Sequence, residues 1–362
     1  MPNIAQLVTS GFTLPGRGGT LTDLALLSLN VALKAYFSTY NLMKYSLHLF
    51  DSGVKNDQAT IDFHHPTSYC LACSETIVHF QHFAELVCKE FLRQDHPLLA
   101  VDASSRPVVF HKLLKGEPVP PDDHEELKSI EFSEALDRLS KLIDEGRIGG
   151  GQLDFVLQAK EVLQKLNILR NRLWHRGIFI LRYPALDELV GAFLLPFMRR
   201  IVSMPEYRDL DRFWKYKALA CGVDPLDEII TELGTDQYDL GKVAFLKELG
   251  RAAYQNPIVD VPNVGFFTRE IRRRAERAAS AELGEANISD VLSCPVCGVG
   301  SLIVYDDVET EGEDPSTGTY MKAFRYTLQV KCLCCSFEIN NHLKNPSEYG
   351  FPMEDYWHVE EL

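Results

Sequence analysis

Two C-x2-C pairs separated by 34 residues constrain the C-terminal part of this chain more than any other feature. They are Cys294 and Cys297 in "SCPVCGVG" and Cys332 and Cys335 in "KCLCCSF". A C-x2-C turn presents two thiolates to one metal ion, and two such turns complete a tetrahedral set. The segments between them, "SLIVYDDVE" and "KAFRYTLQVKC", are rich in β-branched and aromatic residues and flank the polar run "TEGEDPSTGTY". That pattern predicts a β-hairpin with a long tip, framed by cysteines. Cys334 stands as an alternative ligand to Cys335, since neighbouring residues do not both turn comfortably toward one ion.

A hairpin between two such turns resembles a zinc ribbon, with zinc held by Cys294, Cys297, Cys332 and Cys335. Four thiolates leave no open coordination position, so a structural and not a catalytic zinc is expected. The acidic runs "DDVETEGED" and "MEDYWHVEEL" favour a protein partner or an intramolecular role for this module over broad RNA binding. Most of the nine cysteines fall in such close pairs, which in a reducing compartment points to metal and not to disulfides. Cys70 and Cys73 form a third C-x2-C in "SYCLACSE", at the start of an apolar helical pattern with no second pair nearby. They read as core cysteines.

The chain is long enough for two or three domains, and its 46% apolar share is sufficient for a packed core. Fifty-one acidic against 37 basic residues give a formal charge of −14. The mean field therefore repels phosphate and argues against a protein that coats nucleic acid, while leaving room for a local basic site. No leader-like start and no apolar run of membrane-spanning length is visible, so a cytoplasmic protein without membrane contact is expected.

Residues 1–205 carry the three- and four-residue apolar spacing of helices. The patterns run over 22–50, with Gly53 just past the end, and over 68–93, 132–146, 153–176 and 184–203, the last kinked at Pro196. An insertion lies near 97–130, marked by Pro97 and "EPVPPDD". Residues 206–286 read as a region of shorter, more charged helices, and 287–362 as the cysteine-framed module with an acidic tail. The expected fold is mainly α: a helical bundle, a helical region, and a small β-rich ribbon. Within 269–277, five arginines accompany two glutamates. A solvated helix face with internal ion pairs is the favoured reading, and a contact strip for RNA phosphates the other.

The most polar break in the helical region is "LRNRLWHRG", residues 169–177. Asn171 and His175 are four apart and share a helical face, while Arg170 starts on another. Together they offer a fixed cation for phosphate, a titratable imidazole, and an amide to orient one of them. These groups suit metal-free RNA cleavage by attack of the ribose 2′-hydroxyl, which needs proton transfer near neutral pH and positive charge where the phosphorane develops. Trp174 reads as core or interface packing. Arg172 and Arg176 read equally as lining an RNA path or as solvated. His64, His65, His79 and His82 read as bundle histidines without a carboxylate partner.

R-N-x-x-x-H near the end of a late helix resembles the R-x(4–6)-H motif of the HEPN superfamily. Glu85 and Lys89 in "FAELVCKEFL" are similar to an acidic-plus-lysine pattern on an earlier helix of that family. The resemblance covers about residues 20–205. It implies a helical bundle that dimerises, with two motifs meeting to form a composite, metal-independent endoribonuclease site, often in toxin or anti-phage systems. It places Arg170 and His175 as catalytic, Asn171 as supporting, and Glu85 as an orienting group. The implied partners are RNA, with tRNA as one candidate, a second copy of the chain, and an inhibitory or activating protein. The rival expectation is a non-catalytic RNA- or protein-binding module that docks through its ribbon.

Overall fold

The computed structural model describes residues 22–50, 58–102, 106–120, 127–176, 179–258, 265–313 and 320–362. Gly53 lies outside them. In chain order the helices are α1 (Thr22–Met43), α2 (Gln58–Phe63), α3 (Thr67–Asp95), α4 (Pro107–Leu114), α5 (Phe132–Asp144), α6 (Asp154–Arg176), α7 (Tyr183–Glu188), α8 (Leu195–Val202), α9 (Asp211–Trp214), α10 (Pro225–Leu233), α11 (Leu240–Gln255) and α12 (Gly265–Glu282). Two short strands, β1 (Val101–Asp102) and β2 (Lys128–Ser129), pair with each other. β3 (Ile288–Ser293), β4 (Gly300–Glu313), β5 (Tyr320–Cys332), β6 (Glu338–Asn340) and β7 (Val359–Glu361) form one antiparallel sheet, in which β7 pairs with β5. The mainly α expectation holds, and no described helix is long and apolar enough to cross a membrane.

The described residues divide into two compact units, each discontinuous in sequence: those within 22–32, 77–179 and 200–214, and those within 33–76, 180–199 and 215–362. In the first unit, α5 buries Phe132, Ala135, Leu136, Leu139 and Ile143, the three- and four-residue stripe of an amphipathic helix, and packs on α6. Phe83, Val87, Phe91 and Leu92 of α3 belong to the same kind of stripe and are buried. The expected insertion near 97–130 contains α4, the β1–β2 pair and a small apolar cluster of Val109 and Leu127 backed by Leu98, Val101, Leu113 and Val119.

In the second unit the central element is α11. Every residue from Val243 to Ala253 is buried, although the segment contains Lys247, Glu248 and Arg251. A helix buried on all sides is normally apolar all round, so each of these charges needs a partner. The Lys247 ammonium meets Asp187 of α7 at 2.6 Å, both side chains being fully buried, and lies 3.7 Å from the centre of the Tyr183 ring. Burial draws the Lys247 ammonium down to about 8 against the pull of Asp187. Close approach is also required at Gly250, where an added Cβ would sit 2.4 Å from the Phe37 ring.

Three departures from the sequence expectations have physical reasons. The first helix pattern, 22–50, ends as an α-helix at Met43, where the Lys44 ammonium is half of an ion pair with Glu338, and resumes as a 3₁₀ turn at Leu47–Phe50. The break expected at Pro196 takes the form of a π-helix over Leu189–Leu194. The wider turn precedes a residue that has no N–H to donate and whose ring crowds the preceding turn. The polar run 310–320 is not all loop: β4 continues to Glu313 and β5 begins at Tyr320, in register with one another. The acidic tail folds back, with Val359, Glu360 and Glu361 paired to Tyr326, Arg325 and Phe324.

Lys247→Met leaves Asp187 buried without its cation, and an expected loss of about 3–5 kcal/mol follows. The double change Lys247→Met with Asp187→Leu recovers most of that loss. Urea unfolding checks both, and equal midpoints for the single and double variants would contradict the assignment.

Candidate functional site

The cysteine frame folds as two turns at one end of the β4–β5 hairpin. Cys294 lies just after β3, Cys332 ends β5, and the backbone closes each turn: the Gly298 amide donates to the Cys294 carbonyl at 2.9 Å and the Ser336 amide to the Cys332 carbonyl at 3.1 Å. The Cys294 and Cys335 sulfurs are 3.5 Å apart and those of Cys297 and Cys332 3.7 Å. All four are buried and mutually within 4.8 Å. Four sulfurs ~2.3 Å from one tetrahedral ion stand ~3.8 Å apart, so the set fits a metal ion. Among the described residues this is the one such group, and it includes Cys335, not Cys334. Cys334 instead donates its backbone amide to the Cys332 sulfur at 3.3 Å.

Neighbouring elements fix both turns. The Ala220 and Cys221 amides donate to the carbonyls of Val296 and Pro295 at 3.0 and 2.9 Å. Arg251 of α11 donates to the carbonyl and hydroxyl of Ser336, the residue after Cys335, which adopts a left-handed φ of 61°. Of the third pair, Cys73 is the core cysteine expected, whereas Cys70 is only half-buried. Cys73 is fully buried with its thiol toward the Leu181 carbonyl, and burial pushes that thiol up to about 11, which disfavours the thiolate a metal requires.

The polar stretch occupies the last turns of α6. Arg170 is half-buried; its Nη1 donates to the Asn171 side-chain oxygen at 3.0 Å, and its guanidinium carbon lies 5.6 Å from the Trp174 ring centre. Its Nε is buried with no hydrogen-bond partner among the described residues. Asn171 is exposed. His175 occupies the helical position one turn after Asn171, and its side chain, like that of Arg176, lies outside the described residues. Asn171 thus sits one turn before His175 while bonded to Arg170. Trp174 is 66% exposed, so it is not a core residue of the chain. Arg172 is exposed and stands over Phe179 at 5.5 Å.

Glu85 belongs to a polar stripe on α3. It accepts from Lys89 at 2.6 Å and from Gln81 at 3.0 Å, and both of those partners are buried. Two turns before Lys89 and beside Glu85 is His82, which therefore does have a carboxylate neighbour, contrary to the sequence expectation. Its Nδ1 lies 2.7 Å from the Ser28 hydroxyl. Burial lowers the His82 pKa; Glu85 opposes this, while the positive charges of Lys89 and Arg170 add to it. A neutral imidazole is therefore held at neutral pH within the field of Arg170. A signal exists in the sequence: His82 and Glu85 are three apart and share a helical face. His65 has a capping role, its Nε2 accepting from the Tyr183 amide at 3.2 Å as α7 begins.

No family model matches the chain, and no curated protein or solved structure matches it either.

The cysteine geometry makes a sharp prediction for the full-length protein. Elemental analysis is expected to give one tetrahedral metal ion per chain, lost on Cys294→Ser or Cys335→Ser and kept on Cys334→Ser. Retention of the metal by Cys335→Ser would show that the adjacent cysteine is the ligand.

Proposed function

We propose that the protein is a metal-independent endoribonuclease of the HEPN type, with the four cysteines holding a structural zinc. The observation that carries the reading is the bond from Arg170 to Asn171, one turn before His175, with Arg170 close enough for its charge to act on His82. In the reaction the 2′-oxygen bonds to the adjacent phosphorus and its proton passes to a base. The bond from phosphorus to the 5′-oxygen breaks, and that oxygen takes a proton. The products are a 2′,3′-cyclic phosphate and a 5′-hydroxyl. His175 supplies proton transfer, Arg170 neutralises charge on the phosphorane, and Asn171 fixes the guanidinium. Glu85 acts at a distance by holding Lys89 and biasing His82.

Arg170 and His175 start from different faces of α6, so one copy offers half of the constellation. A homodimer that brings two α6 ends to one cleft completes it. A toxin or anti-phage effector in the cytoplasm fits such an activity, with single-stranded RNA or tRNA as substrate and a partner protein as restraint or trigger.

The half-burial of Arg170 favours one other reading, a non-catalytic RNA- or protein-binding module that docks through its zinc ribbon. The two readings part in one assay. Purified protein freed of loose metal is expected to cleave single-stranded RNA or tRNA and leave cyclic phosphate ends. Arg170→Ala and His175→Ala each lower the rate at least about 100-fold and abolish toxicity on expression. Intact RNA under every condition, with wild type and His175→Ala indistinguishable in cells, would end the catalytic reading.

A further inference from the structure

The arginine-rich helix α12 is placed and charged for a role that the hairpin and the α6 site leave open. Thr268, Ala275 and Ala279 form its buried line, against β4 and β3. Arg269, Arg273, Arg274 and Arg277 are exposed on the other side, and Arg272 is half-buried. Arg269, Arg273 and Arg277 follow at four-residue steps, a row ~12 Å long at 1.5 Å per residue. A helix of this composition is expected to neutralise itself with internal ion pairs. This one does so only in part. Arg277 pairs with Glu270 at 3.2 Å, and Arg269 has a partner of its own. Arg272, Arg273 and Arg274 have no ion pair among the described residues, although Glu276 lies within three or four positions of each of the first two.

Arg273 and Arg274, both exposed, are thus left without an ion pair in a chain of formal charge −14, while the charge of Arg272 acts on Cys334. The cations are all arginine, whose planar fork matches phosphate oxygens two at a time. The exposed face has no apolar centre of the kind a protein interface packs around. What it has at its N-terminal end is Phe267, 65% exposed, seven residues before Arg274 and therefore on the same flank of the helix. A row of guanidinium groups beside a solvent-exposed aromatic ring is the pairing that tracks a strand's backbone and stacks its unpaired bases. A duplex keeps its bases from such a ring.

We infer that the exposed face of α12 is a binding site for single-stranded RNA, with Arg273 and Arg274 on successive phosphates, Arg277 exchanging its exposed pair with Glu270 for a third, and Phe267 under a base. The choice of RNA over DNA rests on the ribonuclease reading, while the phosphate-and-base chemistry does not. The site lies outside the α6 constellation and binds without cutting. Because the rest of the chain is acidic, the attraction is short-ranged and strongly salt-dependent.

The test uses full-length protein carrying His175→Ala, so that binding is read without cleavage, and fluorescence anisotropy of a labelled, unstructured RNA oligonucleotide across a salt series. The triple change Arg273→Ala, Arg274→Ala, Arg277→Ala is expected to weaken binding at least tenfold. It should also flatten the slope of log affinity against log salt by about 2, at ~0.7 for each phosphate no longer neutralised. Phe267→Ala should weaken binding about tenfold with the slope unchanged. All four side chains are exposed, so metal content and unfolding midpoint should stay at their starting values and report that the fold is intact. Unchanged affinity and slope in the triple variant would overturn the assignment. So would tighter binding of DNA of the same sequence, or a loss confined to self-association in sedimentation, which would make the row a contact for an acidic protein surface. None of these readouts depends on nuclease activity, so an inactive protein leaves this inference standing or falling by itself.

Discussion

The buried guanidinium of Arg251 is the contact on which the C-terminal unit turns. It grips Glu248 through two nitrogens at 2.6 and 2.7 Å and reaches from α11 to the Ser336 carbonyl beside Cys335. Glu248 in turn accepts the Glu338 amide at 2.7 Å, at the start of β6. One helix with no solvent face thereby sets the position of the second cysteine turn. Its charges cannot be solvated, so they are satisfied by each other, by Asp187 and by the knuckle backbone. The four-cysteine cluster is thus embedded in the fold of its unit and is not an appendage on a flexible hairpin.

The α6 site has a different character. Its polar groups are exposed or half-exposed, and the best-connected of them, Glu85, already spends both oxygens on buried partners. That makes Glu85 a brace for α3, with the neutral His82 beside it. The buried Nε of Arg170 has no hydrogen-bond partner among the described residues. Such a group is consistent with a site completed by something that arrives, whether phosphate or a second copy.

The cysteine frame is legible in the sequence because tetrahedral thiolate chemistry leaves few spacings that work, and the hairpin between the turns carries strand composition. The choice of Cys335 over Cys334 follows the same spacing. The long helices of the first 205 residues are legible from apolar periodicity, whereas the short α2 and α4 are not: the described side chains of α2 include no buried one, and α4 buries Val109 alone. The burial of α11 is not, because Lys247, Glu248 and Arg251 look like the wet side of an amphipathic helix until their partners, 60 or more residues away in two cases, are in place. The exposure of Trp174 is equally hidden, because hydrophobic size alone does not say which side of a helix end faces solvent. In α12 the composition suggests self-neutralising charges, and side-chain geometry leaves most of the arginines out of such pairs. His82 is hard to single out because its carboxylate neighbour, Glu85, already has a reading of its own on the same stripe.

The central claim is that one copy of the chain carries half of a ribonuclease site. Mixing two inactive variants after co-expression or subunit exchange tests it most directly. Arg170→Ala and His175→Ala protomers paired together retain one Arg170 and one His175, on opposite copies. If these act across the dimer, the mixture recovers RNA cleavage that neither variant shows alone. A mixture as silent as its components, from a wild type that cleaves, would contradict a composite site and place the whole reaction within a single chain.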